Sequence, residues 1–259
     1  MREWFKALDG LLRGDSTRLA ALKEGSIGVR AGGLCAVAII LGLAYGICMG
    51  FFALFREGGP WWNQFLTTTL KVPLLFFLTL LITFPSLYVF NALAGSRLTI
   101  VSVLRLLVAS LAVNLAVLAS LGPISAFFAV STTSYSFMVL LNVAVFGAAG
   151  VFGLLFLLRT LHRLVVATTE PPPDAAPPAL PPVIPGRESA IDPLEGRLMG
   201  RHEKLVFRCW MVVFALVGSQ MAWVLRPFLG NPKLEFTWFR GRGSSFFESV
   251  WQHLANLFQ

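Results

Sequence analysis

The sequence predicts an all-α integral membrane protein with five transmembrane helices and an amphipathic interfacial helix near each terminus. Five apolar stretches carry that prediction: 31–55, 72–94, 99–122, 137–158 and 207–225. Each approaches the ~20 residues that cross ~30 Å of hydrocarbon at about 1.5 Å per residue. Composition agrees, with 56% hydrophobic and 13% charged residues, where soluble domains carry about 25% charged. Charge placement sets the orientation. Fifteen Lys/Arg fall on the side of the N-terminus and six on the other, so the positive-inside rule puts the N-terminus in the cytoplasm and the C-terminus outside. The net charge of +8 is thereby a topology signal, with attraction to anionic lipid, and does not call for nucleic acid.

Residues 1–30 form a cytoplasmic amphipathic segment. Trp4, Phe5, Leu8, Leu11 and Leu12 recur at helical spacing, with Arg2, Lys6, Asp9 and Arg13 off that face. Gly14–Ser16 breaks the pattern before a second short helix, 17–24, which ends at Gly25. The first apolar stretch begins too late and runs too long for a cleavable signal, and reads as a retained anchor.

Residues 31–165 form a four-helix transmembrane bundle. Gly42, Gly46 and Gly50 share one face of the first span; Ala112, Ala116 and Ser120 do so in the third, and Ala144/Ala148 with Ala149/Gly153 in the fourth. Such faces let backbones approach closely in lipid, within one chain or between subunits. Lys71-Val-Pro opens the second span, and Pro85 interrupts it, with Thr83 and Ser86 able to satisfy the freed carbonyls. Gly122-Pro123 is expected to end the third span, leaving 124–130 to rest at the outer interface.

Nine of the fifteen prolines lie within 171–193, so 166–200 reads as a proline-rich cytoplasmic linker, extended and polyproline-like. Its PxxP matches are nearly inevitable in such a run, which favours a spacer over a ligand. A fifth helix, 201–228, follows with its basic cluster Arg201, Lys204 and Arg208. The external tail, 229–259, has a capping box, Ser245-Phe-Phe-Glu248, ahead of a Phe247, Trp251, Leu254, Phe258 stripe. Trp4, Phe5, Trp61, Trp62 and Trp251 are the expected interface anchors, and Trp210, Trp223 and Tyr135 complete an aromatic belt.

Catalysis or transport in a membrane needs polar groups at depth. No Asp or Glu falls within a span, and Lys71, Arg105, Arg208 and Arg226 lie near predicted span ends, where they can snorkel. The intramembrane polar residues are Asn114, Asn142 and Gln220, with Asn91 nearer an end; bridging between helices is favoured over substrate contact. His162, His202 and His253 are scattered outside the spans, and Cys35, Cys48 and Cys209 within them, so the residues indicate neither a catalytic constellation, nor a metal site, nor a cofactor.

Residues 25–165 resemble the Yip membrane-domain family, small five-span proteins named for interaction with Ypt/Rab GTPases. The likeness rests on Lys71-Val-Pro-Leu-Leu, on Thr83-Phe-Pro-Ser-Leu-Tyr-Val-Phe-Asn-Ala-Leu-Ala-Gly95, on Gly122-Pro-Ile and on the small-residue fourth span. It implies a cytosolic N-terminus and no catalytic residues. The proline-rich insertion and the tail after Ser219-Gln-Met-Ala-Trp-Val-Leu-Arg-Pro-Phe228 depart from the family. Arg outnumbers Lys sixteen to five, which fits a GC-rich bacterium.

These readings lead to an expectation: a non-enzymatic organiser or accessory subunit of a bacterial inner membrane, binding other membrane proteins or itself. Gly42, Gly46 and Gly50 are the first candidates for partner contact, then the fifth-span exit, Gln220, Trp223, Arg226 and Pro227. The alternative is a small channel or transporter using Asn114, Asn142 and the Pro85 kink.

Overall fold

The computed structural model describes residues 2–13, 31–55, 61–93, 100–169, 192–230, 235–239, 241, 243 and 245–256. Those residues form seven helices and no strand: α1 Arg2–Leu12, α2 Ala31–Phe55, α3 Trp62–Leu93, α4 Ile100–Ser131, α5 Tyr135–Thr169, α6 Asp192–Val224 and α7 Phe246–Ala255. Four helices are long and apolar enough to cross a membrane, over Gly32–Phe55, Trp62–Ser86, Val103–Ser131 and Tyr135–Leu157. The apolar part of α6, Arg208–Val224, is shorter. The expected helix 17–24, most of the proline-rich run, Leu257 and Phe258 lie outside the described residues.

The helix α2 is the hub. It packs most extensively on α4 and then on α3; α5 packs on α4 and reaches Tyr45 of α2 and Phe76 of α3 through Phe146, and α6 lies against α3. Leu34, Val37, Ala38, Tyr45, Met49 and Phe52 of α2 are buried in a core shared with Leu106, Leu115 and Leu118 of α4. The three glycines of α2 make the α3 contact close. A Cβ at Gly42 would lie 3.0 Å from Pro73, one at Gly46 2.7 Å from the Thr69 carbonyl oxygen, and one at Gly50 2.8 Å from the Phe65 ring. Pro73 cannot donate to the Thr69 carbonyl four residues back. The absence of a side chain at Gly46 lets α2 approach that freed carbonyl.

Several boundaries differ from those expected. The second span starts at Trp62 rather than Val72, because the polar residues of 62–71 gather on one inward face instead of ending the helix. Pro73 is therefore interior to α3. The third span does not stop at Gly122-Pro123; α4 runs on to Ser131. An interior proline costs about 3 kcal/mol, and here burial of Ser125 and Ala129 beyond it opposes that cost. Gly122 is a close-approach position, its added Cβ falling 3.1 Å from Cys48 Sγ. Residues 192–200, read as spacer, belong to α6, whose first turn carries Asp192, Pro193 and Glu195, all suited to a helix start.

Trp210 is not part of an interfacial belt. It is 1% exposed, wedged between α6 and α3, and donates from Nε1 to the Thr83 carbonyl at 3.3 Å. Ser86 Oγ donates to the same carbonyl at 2.7 Å, so the backbone next to Pro85 is served by side chains. The amphipathic α1 packs against α2 and α4 with Leu8 and Leu11 buried, leaving Phe5 and Leu12 exposed. Trp4 is 39% exposed, with its ring against Gly33.

Candidate functional site at the Trp62 end of the bundle

Gln64, Thr68 and Lys71 follow one another at i, i+4 and i+7, which stacks them on one face of α3. All three are at most 2% exposed. Their hydrogen bonds go to the segment that follows α6. Gln64 Nε2 donates to the carbonyls of Phe228 at 2.8 Å and Pro227 at 3.3 Å. Thr68 Oγ1 donates to the Phe228 carbonyl. Lys71 Nζ donates to the Pro227 carbonyl at 3.3 Å and to the Trp238 carbonyl, and stands 5.0 Å from the centre of the Phe239 ring.

The segment is seated closely on α3. Leu225, Pro227 and Leu229 are buried, and the Arg226–Pro227 peptide is cis. Gly230 has φ +70°, a left-handed conformation that favours glycine, and a Cβ there would lie 2.8 Å from Gln64 Cγ. Arg226 stacks on Trp223, guanidinium carbon 3.4 Å from the ring centre, and donates to the Gly241 carbonyl. Trp61, Trp62, Asn63 and Phe236 line an open cleft of about 390 Å³ beside this segment.

Lys71 thus lies nine residues into its span, about 13 Å along the axis from Trp62 at 1.5 Å per residue. The sequence reading placed it near a span end, free to snorkel. In the fold its ammonium is met by backbone carbonyls, with no carboxylate in ion-pair range among the described residues. Gln64 and Thr68 were not singled out from sequence. Their i, i+4, i+7 register with Lys71 is the signal that could have found them.

The amides separate into two levels. Asn142 joins a buried network in which Tyr45 Oη donates to Asn142 Oδ1 at 2.7 Å and lies 3.2 Å from Ser125 Oγ, while Asn142 Nδ2 donates to the Met138 carbonyl at 2.8 Å. Asn114 sits eleven residues before Ser125 on α4, about 16 Å away along the axis. It packs against Gly153 of α5, beside Ser110, whose hydroxyl donates to the Gly153 carbonyl at 2.8 Å; Asn114 Oδ1 is buried and meets no hydrogen-bond partner among the described residues. Asn114 and Asn142 therefore lie at different depths, and Pro85 is exposed on α3. The Asn91 side chain lies outside what is described.

Other candidate residues divide between interior and surface. Gly42, Gly46, Gly50 and Ala112 are buried within the chain, Ala116 is half-buried, and Ser120 and Gln220 are exposed. Of the expected anchors, Trp62 and Trp251 are the most exposed, at 60% and 70%. On α7, Ser245 caps the first turn by accepting from the Glu248 N–H at 3.3 Å, and Phe247, Trp251 and Leu254 face away from the fold. The opposite side meets α5 through His253, whose Nδ1 lies 3.2 Å from Ser136 Oγ and whose ring meets Tyr135 edge-on at 5.4 Å. Partial burial there lowers the His253 pKa from its ordinary value. Comparison with family models, with curated proteins and with solved structures finds no match to this chain.

Proposed function

We propose that this protein is a non-enzymatic organiser or accessory subunit of a bacterial inner membrane that holds another membrane protein through α5. The observation that carries the reading is the uneven cover of the spans. Only 22% of the α5 span is buried in the fold, against 50%, 50% and 61% for α2, α3 and α4. Its outward face presents Ala144, Gly147, Ala148, Val151 and Phe152, small residues followed by large ones. That texture lets a partner's helix approach closely at one level and interlock at the next.

In this reading α6 is a fifth crossing. Its apolar stretch of 17 residues, Arg208–Val224, extends about 25 Å at 1.5 Å per residue. The charge asymmetry places the N-terminus in the cytoplasm and α7 outside, where its Phe247–Trp251–Leu254 stripe rests on the lipid surface. The likeness to the Yip family supports a scaffold of this size and orientation.

The test is photocrosslinking in the native membrane from Ala148, on the open face, and from Leu115, in the core. A stoichiometric protein adduct from Ala148 alone supports the proposal. A lone monomer with lipid adducts only rejects it. Ion or solute flux in proteoliposomes that is lost on Asn114→Leu would instead favour a channel.

A further inference from the structure

The helix α7 presents two faces with different neighbours. One carries the exposed Phe247, Trp251 and Leu254. The other docks through His253, whose Nδ1 lies 3.2 Å from Ser136 Oγ and whose ring meets Tyr135 edge-on. Tyr135 is the first residue of its span, so α7 lies at the membrane boundary, where an apolar stripe meets lipid.

Ser136 heads a flank of α5. Val143, Gly147 and Gly150 follow it at i+7, i+11 and i+14, spacings that keep to one side of a helix. A Cβ at Gly147 or Gly150 would meet nothing within 4 Å among the described residues, so the flank is open beyond α7. Packed helices run about 8–10 Å apart, and a neighbour laid along the whole flank would therefore collide with α7. The position of α7 thus decides how much of the flank can be used.

The docked face responds to acid, and the lipid face does not. Neutral imidazole can donate to Ser136 or accept from it, whereas the imidazolium only donates and adds a charge. Nothing described nearby offsets that charge. Of the helices packed against α7, α5 offers Tyr135 and Ser136, and residues 209–224 of α6 contain no Asp, Glu, Lys, Arg or His. On α7 itself Glu248 lies about 140° around the helix from His253. The ion pairs among the described residues do not involve His253. Burial accordingly lowers its pKa, so docking loses the contribution of the neutral ring as pH falls from about 6.5 through the lowered value.

We propose that α7 is an acid-released cover at the Ser136 end of the open α5 flank. Docked, it keeps a neighbouring helix from the head of the flank; released, it leaves the flank clear over its full height. The inference rests on the reading of α5 as a partner's seat, while release itself is measured on the purified chain.

Spin-label distances between Phe55→Cys and Gln252→Cys, both at exposed positions, test release in nanodiscs. The labelled chain carries Cys35→Ala, Cys48→Ala and Cys209→Ala. A single distance is expected at about pH 7.5, and a second, longer population at about pH 5. His253→Phe, an uncharged ring throughout, should hold the single distance at both. His253→Lys, charged throughout, should show the longer population at both. An unchanged distribution in the chain that keeps His253 overturns the proposal, as does a longer population in acid that persists in His253→Phe. In the native membrane, a protein photoadduct from Gly147 should increase on acidification. An equal adduct at both pH values overturns the cover, whereas no protein adduct at either, with release intact, removes the partner instead.

Discussion

On α2, Gly42, Gly46 and Gly50 recur every four residues, and a Cβ at any of them would meet α3 within about 3 Å, at Gly46 against backbone. On α5, Ala144 and Ala148 recur at the same interval with Gly147 beside them, and a Cβ at Gly147 or Gly150 would meet nothing within 4 Å among the described residues. The two spans carry the same kind of motif and use it differently. The α2 face closes a seam inside the chain, while the α5 face is left open to lipid or to another protein. A small-residue pattern marks where backbones can come close. It does not say which backbone arrives.

The contrast can be broken most directly at Gly46. Gly46→Leu should destabilise the bundle by well over the ~1–3 kcal/mol typical of overpacking, because the obstacle is the Thr69 backbone and cannot rotate away. The loss would be read as a fall in thermal midpoint in nanodiscs; an unchanged midpoint would remove the α2–α3 seam. Next comes Gly230→Ala, which forces a left-handed conformation and crowds Gln64, costing about 1–2 kcal/mol. Hydrogen exchange across 225–230 should accelerate while α2 and α4 stay protected.

Tyr45→Phe sharpens the comparison from the inner side of α5. It strips Asn142 Oδ1 of its 2.7 Å donor and should cost about 1 kcal/mol, within the range found for polar contacts between membrane helices. Asn142→Leu made in the Tyr45→Phe background should recover part of that loss; additivity would mean the pair is not coupled. A smaller effect is expected from acid at the Tyr135 end of α5. Burial disfavours charged His253 in the docked state, whereas a detached α7 titrates near its usual ~6.5. The contribution of neutral His253 to docking is then full above about pH 6.5 and is lost as pH falls from there through the lowered pKa of the docked state. Faster exchange over 246–256 at pH 5 than at pH 7.5 is the readout, and equal protection would contradict it. Smallest of all is Gly147→Ala, within about 0.5 kcal/mol of neutral, since there is open space around it. A large loss there in the native membrane, absent from the purified chain, would locate the partner.

Much of the fold was legible because hydropathy is a local property summed over twenty residues. The first and fourth spans came out within a few residues of 32–55 and 135–157. The start of α3 did not, because Gln64, Thr67, Thr68 and Lys71 lower the local average although their partners lie in the same chain. Gly122-Pro123 reads as a stop by backbone propensity, yet α4 continues because Ser125 and Ala129 find buried places beyond it. Trp210 reads as a belt residue in sequence because ring chemistry cannot tell a headgroup from the Thr83 carbonyl.

What the chain determined alone was its solvent: it is too apolar, in too many long runs, to fold in water. Its glycines and alanines also determined where close contact was permitted. Only the tertiary structure decided which of those permissions were used, with Gly46 against Thr69 and Gly147 against nothing. It alone turned Lys71 from a presumed interfacial cation into a buried one held by the Pro227 and Trp238 carbonyls. The physical reason is range. Hydrophobicity acts through a residue's own surface, whereas satisfying a buried charge or admitting a backbone at 3 Å depends on partners up to 167 positions away in sequence.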